Sequence, residues 1–419
     1  MIRRNLYPDL CAHLSRKEIT ILMGARQVGK TTLLKVLQQD LQRQGERVLS
    51  FNLDISRDRP YFADQERLLE KIRLEWGDGG GYVFIDEMQR KGNAGIFLKG
   101  LYDRDLPYKF VVSGSGSLEL KENIQESLIG RKRLFELSPV SFDEFVHHRT
   151  DYRYKGRLGD FFRAESAHTT QLLREYLNFG GYPRILTEPS LPERKLLLDE
   201  IFSSYLERDI GSLLKLRRPD AFVLLIKLLA DRIGTPLNKT HLASQTGLSA
   251  ATLNQYLWYA EKTFVIKLLT PFFRNTRKEL TKAPEVFFVD LGLRNFALNL
   301  VGQVGEPHNT GALFENFVFQ LLQARSHREG WKLHYWRTQN QAEVDFIINQ
   351  GQGLIPCEVK YQTLKQARFS RSFRSFMDQY QPTEAYLINL SLNTDVIVGQ
   401  TKIKVRPFWT LLNEGEKAS

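Results

Sequence analysis

Long apolar runs are missing from this chain of 419 residues. No segment reaches the roughly 20 uninterrupted apolar residues that a membrane-spanning helix needs, so no membrane partner is expected. The first residues, Met1-Ile2-Arg3-Arg4-Asn5-Leu6-Tyr7-Pro8, lack the apolar core of a signal peptide, and the expected location is the cytoplasm. Cysteine is scarce. Cys11 and Cys357 are too few for a disulfide framework or a cysteine zinc site, and both are expected to be reduced and structural. Acid is the minority charge: 48 Asp and Glu stand against 59 Lys and Arg, a formal net charge of +11, with a pI of about 9.4. Such an excess gains from counterion release on a phosphate backbone and favours a nucleic-acid partner, DNA ahead of RNA. Spread over so long a chain it equally describes a solvated basic surface. With 42% hydrophobic and 26% charged residues, the length allows two or three domains with substantial cores.

The strongest positive feature is Gly24-Ala25-Arg26-Gln27-Val28-Gly29-Lys30-Thr31-Thr32, a G-x-x-x-x-G-K-T loop between the apolar run Ile19 to Met23 and the helix-like Leu33 to Leu41. A phosphate loop needs a buried strand that ends, glycines that let amides converge, and a helix N-terminus. Lys30 would reach the β- and γ-phosphates of ATP, and the Thr31 hydroxyl would coordinate Mg²⁺. Gly81-Tyr82-Val83-Phe84-Ile85-Asp86-Glu87 reads as a second strand ending in two carboxylates. Asp86 would hold the magnesium through water and Glu87 would polarise the attacking water. A third strand, Tyr108 to Val112, is expected to stop before Ser113-Gly114-Ser115-Gly116-Ser117, with Ser113 as the sensor of nucleotide state and Ser115 as the alternative. Arg131, in Gly130-Arg131-Lys132-Arg133, is the candidate finger toward a neighbouring subunit's phosphate. That role would need a homo-oligomer, and a solvated basic turn is the other reading.

Strands and helical runs alternate from Ile19 to about Phe145, including a strand at Val48 to Leu53 and a helix at Gln65 to Trp76. This implies a parallel sheet covered on both faces, with ligand at the carboxyl ends of its strands. Arg149 to Gly159 reads as a linker. Helical runs follow at Gln171 to Phe179, Glu193 to Leu214 and Ala221 to Arg232. Asn238 and Ser249 are positioned as caps of two helices around Thr246-Gly247-Leu248, a helix-turn-helix outline with Asn254 and Gln255 as candidate base readers. Strands Phe264 to Leu269 and Val286 to Val289 flank the basic stretch Phe273 to Leu280, which would be the wing. Protein contact is the other use of such a unit. Further on, Asp345 on one strand and Glu358-x-Lys360 on the next have D…E-x-K spacing, with Glu315 on a helix as a third carboxylate. The three could hold Mg²⁺ while Lys360 orients or deprotonates a water. A cross-strand ion pair between Lys360 and Asp345 or Glu343 is the alternative.

Together these motifs resemble a widespread group of prokaryotic AAA-type ATPases of the archaeal-ATPase kind, fused to a C-terminal domain with a PD-(D/E)xK nuclease-like fold. The likeness is carried by Gly24 to Thr32, Val83 to Glu87, Leu128 to Arg131, Ser138 to Phe145, Gly180 to Pro183, Leu206 to Ile210, Gly311 to Glu315, Glu343 to Phe346 and Cys357 to Lys360. The resemblance implies an α/β chain in four parts. These are an AAA-type P-loop ATPase domain at 1–150, a helical lid at 151–234, a winged-helix domain at 235–300 and an α/β nuclease-like domain at 301–419. It further implies that the Gly181-Tyr182-Pro183 turn meets the nucleotide base through Pro183, and that Glu315, Asp345, Glu358 and Lys360 share one site.

Two functions of different kinds fit. One is a Mg²⁺-dependent ATPase that couples nucleotide state to a nucleic-acid-directed, nuclease-type module. The other is an ATP-regulated interaction switch whose nuclease-like fold is catalytically inactive. A DNA-binding transcription regulator, resting on residues 238–260 alone, would leave both carboxylate groups unused.

Overall fold

Strand Ile19–Gly24 is buried along its whole length. Its alternating side chains pack both ways: Leu22 lies with Leu33, Leu34 and Leu37 on one face, while Ile21 and Met23 lie with Leu68, Ile72 and Phe97 on the other. A strand clad on both faces belongs inside a parallel sheet. The computed structural model describes residues 1–115, 127–206, 210, 218–273, 282–303, 310–338, 340–351 and 353–412. In it this strand (β1) joins Val48–Asn52 (β2), Gly81–Asp86 (β3), Tyr108–Ser115 (β4) and Lys132–Glu136 (β5). The sheet is parallel throughout, in the order β2-β3-β4-β1-β5. Around it lie helices Tyr7–His13 (α1), Lys30–Arg43 (α2), Gln65–Trp76 (α3) and Ala94–Tyr102 (α4). Asp64 starts α3 where the sequence places it, by accepting the Arg67 amide at 2.9 Å.

One strand end differs from expectation. Small and glycine-rich, Ser113-Gly114-Ser115 reads as a turn, yet it continues β4, because its backbone pairs with Leu22, Met23 and Gly24 of β1. Gly116 and Ser117 lie outside the described residues.

The middle of the chain is helical: Phe142–Arg149 (α5), Leu158–Ala164 (α6), Ser166–Phe179 (α7), Pro183–Thr187 (α8), Leu191–Ser204 (α9) and Pro219–Asp231 (α10). Glu144 closes the start of α5 by accepting the Ser141 amide at 3.0 Å. The expected linker is shorter than drawn. Leu158, Phe161 and Phe162 are buried in a shared aromatic core, and that burial starts α6 inside the polar stretch. The helix expected to run to Leu214 is described as α9 only to Ser204, and Glu207 to Asp209 lie outside the described residues.

Lys239–Thr246 (α11) and Ala250–Lys262 (α12) form behind the expected caps, Asn238 accepting the His241 amide at 3.0 Å and Ser249 the Thr252 amide at 3.2 Å. Antiparallel Ile266–Leu269 (β6) and Glu285–Phe288 (β7) follow, then Leu291–Ala297 (α13). The basic stretch 274–280 expected as a wing lies outside the described residues.

Helix Thr310–Glu329 (α14) leads into strands Lys332–Arg337 (β8), Glu343–Asn349 (β9) and Leu354–Val359 (β10), helix Arg371–Tyr380 (α15), and strands Glu384–Asn389 (β11), Thr394–Val398 (β12) and Thr401–Pro407 (β13). They make a mixed sheet ordered β12-β13-β11-β10-β9-β8. Alternation again sorts the faces: Phe346 of β9 packs with Phe317 and Phe319 of α14, while Ile347 packs with Phe373 and Phe376 of α15. The first of these cores also holds Phe142 of α5 and Tyr176 of α7, so α5, α7 and α14 share one aromatic interior.

Candidate nucleotide site

The carboxyl end of β1 fixes the site. At Gly24 a Cβ would stand 2.3 Å from the Leu137 carbonyl oxygen, so only glycine lets β1 and the chain leaving β5 come this close. The chain then rises through Ala25 to Val28 and enters α2 at Gly29, whose φ of +99° is the left-handed conformation that the sharp turn into the helix requires. Lys30 is the first residue of α2 and is 6% exposed. Its Nζ donates to the carbonyls of Gly24 at 3.1 Å and Ala25 at 2.7 Å, which holds the ammonium inside the loop. Thr31 Oγ1 donates to Asp86 Oδ2 at 2.8 Å, and Thr32 follows on the exposed side of α2.

Asp86 ends β3 and gathers its neighbours. Besides Thr31 it accepts the Ser113 hydroxyl from β4 and the Glu87 amide at 3.0 Å. Glu87 itself is left-handed, at φ 59° and ψ 40°. Burial, reinforced by the adjacent Asp86 charge, holds its carboxyl above the usual carboxylate range, against the pull of Lys30. The structure thus brings Lys30, Thr31, Asp86, Glu87 and Ser113 together. Ser115 is 1% exposed and its hydroxyl has no hydrogen-bond partner among the described residues.

The turn into α8 sits against the loop. Pro183 Cγ lies 3.8 Å from where a Cβ on Gly29 would be, and Arg184 reaches Gln27 Oε1 at 3.4 Å. Sequence reasoning missed Arg4, which laces the loop from below. It donates to the Val28 carbonyl at 2.8 Å and to the Ser138 carbonyl at 2.5 Å, and pairs with buried Glu144 at 2.9 Å. Burial raises the Glu144 carboxyl and the Arg4 charge opposes that rise. A local signal existed, because the Ser141-x-x-Glu144 spacing marks a buried helix start. Nothing in the sequence pointed across more than a hundred residues to Arg4. Arg131 is placed elsewhere: its carbonyl accepts the Ile19 amide at the amino end of β1, and its guanidinium pairs with Asp103 at 2.7 Å. Within one chain it is at the opposite end of the sheet from the phosphate loop.

Of the C-terminal carboxylates, Asp345 and Glu358 occupy the neighbouring strands β9 and β10. Asp345 accepts the Val359 amide at 2.6 Å, Glu358 pairs with Lys360 at 3.4 Å, and Lys360 Nζ donates to the Arg368 carbonyl at 2.7 Å. Glu315 lies against Gly234, with Oε1 2.7 Å from the position of a Cβ there. Burial, then the charges of Asp345 and Glu285, hold the Glu315 carboxyl well above the normal range, and burial likewise raises Asp345. Among the described residues no three His, Cys, Asp or Glu side chains are grouped to hold a metal ion. The Asp345 charge raises the Glu315 carboxyl and the Glu358 charge raises that of Asp345, so the three carboxylates sense one another. Lys360 borders a cleft of about 640 Å³ lined also by Thr310, Tyr361, Gln362 and Arg368. Glu285 was also missed. It is an acid in an apolar strand, and burial pushes it up to about 9.

A five-stranded parallel sheet with a phosphate loop between β1 and α2 and paired acids after β3 defines a P-loop nucleotide-binding domain. Residues 16–146 match the family model described as AAA domain, so the N-terminal unit is of the AAA type. Residues 170–303 and 310–410 match two further models, each described as a domain of unknown function (DUF8612 and DUF4143). An uncharacterized protein of Mycobacterium tuberculosis is 28% identical over 383 residues, spanning 90% of this chain and 78% of its own. One from Methanocaldococcus jannaschii is 26% identical over 424 residues, spanning 96% and 89%. Among solved structures, Cdc6p from Pyrobaculum aerophilum overlaps 72% of this chain and 96% of its own at 11% identity and a TM-score of 0.30. AMPPCP-bound DnaA from Aquifex aeolicus overlaps 62% and 90% at 14% identity and a TM-score of 0.26. No helix among the described residues is long and apolar enough to cross a membrane.

Proposed function

We propose that this protein hydrolyses ATP with Mg²⁺ at the phosphate loop and uses nucleotide state to move a C-terminal module directed at DNA. The observation that carries this reading is the convergence of Lys30, Thr31, Asp86, Glu87 and Ser113 at the carboxyl ends of β1, β3 and β4. The residues fit a nucleotide: a loop that no side chain at Gly24 obstructs, a helix N-terminus, a buried ammonium and a buried Ser115 hydroxyl with no partner among the described residues. Magnesium, when bound, neutralises phosphate charge, and Thr31 and Asp86 are the groups that would hold it. Glu87 takes a proton from water as the water oxygen bonds to the γ-phosphorus. The bond from that phosphorus to the bridging oxygen breaks, and its electron pair leaves on ADP. Lys30 stabilises the phosphate charge, Ser113 holds Asp86, and Pro183 flanks the base.

We read α11 and α12 with the β6–β7 hairpin as a winged helix, and the six-stranded unit as nuclease-like. Arg131 is our candidate finger toward a neighbour in a homo-oligomer. A cytoplasmic location fits this reading. In a second reading the C-terminal module binds without cutting. The engagement of Asp345 with the Val359 amide and of Lys360 with the Arg368 carbonyl favours it.

ATP turnover measured with and without DNA, with DNA integrity followed in the same reaction, tests both. Lys30→Ala should abolish turnover and Glu87→Gln should lower it by about a hundredfold or more; unchanged turnover in Glu87→Gln would sink the hydrolytic assignment. DNA cleavage lost in Lys360→Ala would select the nuclease, whereas turnover without cleavage selects the binding module.

A further inference from the structure

Gln89 follows the two carboxylates by two residues, in the short 3₁₀ turn Met88–Arg90. Its side chain spans two strand ends. Its Nε2 donates to Glu87 Oε2, and its Oε1 accepts the Ser115 amide at 3.2 Å. Ser115 is the last residue of β4 and pairs with Gly24, the first residue of the phosphate loop. One carboxamide therefore ties the water-activating group after β3 to the strand that lies between β3 and β1.

The surroundings hold this arrangement firmly. Glu87 is a non-glycine residue in left-handed conformation, which persists only where neighbouring contacts over-determine it. Met88, wholly buried, anchors the turn below. An amide can serve both ends because it donates and accepts at once; an acid or an apolar side chain of the same length cannot. Glu87, by contrast, has no other side-chain hydrogen bond among the described residues that would aim its carboxylate.

We propose that Gln89 is a positioning residue for ATP hydrolysis, which sets the carboxylate of Glu87 and hands to it the position of the β4 tip. A γ-phosphate beside Gly24 and Ser115 that shifts this tip thereby shifts the group that deprotonates water. This rests on the hydrolytic reading above. In the reaction Gln89 neither gains nor loses a proton; it acts through Glu87, the bonds made and broken being those already given.

The test uses the full chain and four proteins beside wild type: Lys30→Ala, Glu87→Gln, Gln89→Leu and the double variant Glu87→Gln with Gln89→Leu. Turnover is measured under steady-state and single-turnover conditions, with melting temperature alongside. Misplacing a reacting group by about an ångström costs on the order of a hundredfold, so Gln89→Leu should lower kcat by about tenfold or more while KM for ATP changes less than about twofold. In the Glu87→Gln background the same change should cost almost nothing further, because the group it aims is gone. Equal losses in both backgrounds, or an unchanged kcat in Gln89→Leu, overturn the positioning role while leaving hydrolysis intact. A wild-type rate no higher than that of Lys30→Ala overturns hydrolysis itself, and the role of Gln89 with it.

Discussion

The Asp290 carboxylate accepts the Gly181 amide at 2.7 Å, from 109 residues further along the chain. It also accepts the Leu293 amide at 2.9 Å, capping α13. The turn that presents Pro183 to the phosphate loop is therefore held by a residue at the start of α13. Asn295 reinforces the clamp by donating to the Leu177 and Asn178 carbonyls at 2.8 and 3.0 Å. Asp290→Ala strands two buried amides, each at a cost of roughly 1–3 kcal/mol. A lowered melting temperature and several-fold weaker binding of a fluorescent ATP analogue should follow, with Asp290→Asn milder because one acceptor oxygen remains. Weaker stability with unchanged analogue affinity would show that the clamp does not reach the nucleotide.

Gly24→Ala is a sharper test of the loop. The added methyl would lie 2.3 Å from the Leu137 carbonyl oxygen, and that oxygen belongs to backbone that cannot rotate away. β1 and the chain after β5 must separate, carrying the Lys30 carbonyl partners with them. Nucleotide binding should fall by about tenfold or more, by titration, with the C-terminal unit still folded by limited proteolysis. Binding at the wild-type level would mean that the loop geometry is not set by this contact.

The nucleotide half of the molecule was largely legible because its chemistry is local. Gly24 to Thr32 and Val83 to Glu87 are contiguous motifs whose spacing dictates a strand, a turn and a helix. What escaped was set by distant partners: Arg4 against Val28, Gln89 against Ser115, Asp290 against Gly181. The serine strand end misled because composition there reads as a turn, while pairing with β1 decides the matter. At the C-terminal end, spacing placed Asp345 and Glu358 on adjacent strands correctly. Spacing says nothing of where a carboxylate points, and the approach of Glu315 to Gly234 could not be read from it.

Glu285 gives the chain a pH dependence of definite sign. Burial first, then the charges of Asp345 and Glu343, push its carboxyl from 4.5 up to about 9. A group that binds its proton more tightly when folded contributes stability that is complete below the unfolded pKa and is lost as pH rises through the folded one. Wild-type stability should decline between about pH 4.5 and 9 by at most roughly 1.4 kcal/mol per pH unit from this residue. Glu285→Gln, which stays neutral, should show an advantage over wild type that grows across that window and levels off above it. Denaturant melts at several pH values would reveal this, and a constant difference between the two proteins would refute it.

Asn316 offers the cleanest measure of how α14 is attached to the preceding hairpin. It is fully buried, and its carboxamide accepts the Phe288 amide at 2.8 Å while donating to the Phe288 carbonyl at 2.9 Å. It caps the edge of β7 beyond the point where Gly234 donates to the Val286 carbonyl. Gln320, one turn on, donates to the carbonyls of Phe288 and Val289 at 3.1 and 3.0 Å. Asn316→Leu keeps the volume but leaves the Phe288 amide without its acceptor, so the loss should be about 1–3 kcal/mol in denaturant unfolding. The Phe288 carbonyl retains Gln320, which is why the cost should stay within that range. Gln320→Ala in the same background should then cost more than it does alone, since among the described residues it removes the remaining side-chain donor to that carbonyl. Additive losses would mean that the two amides hold the hairpin independently.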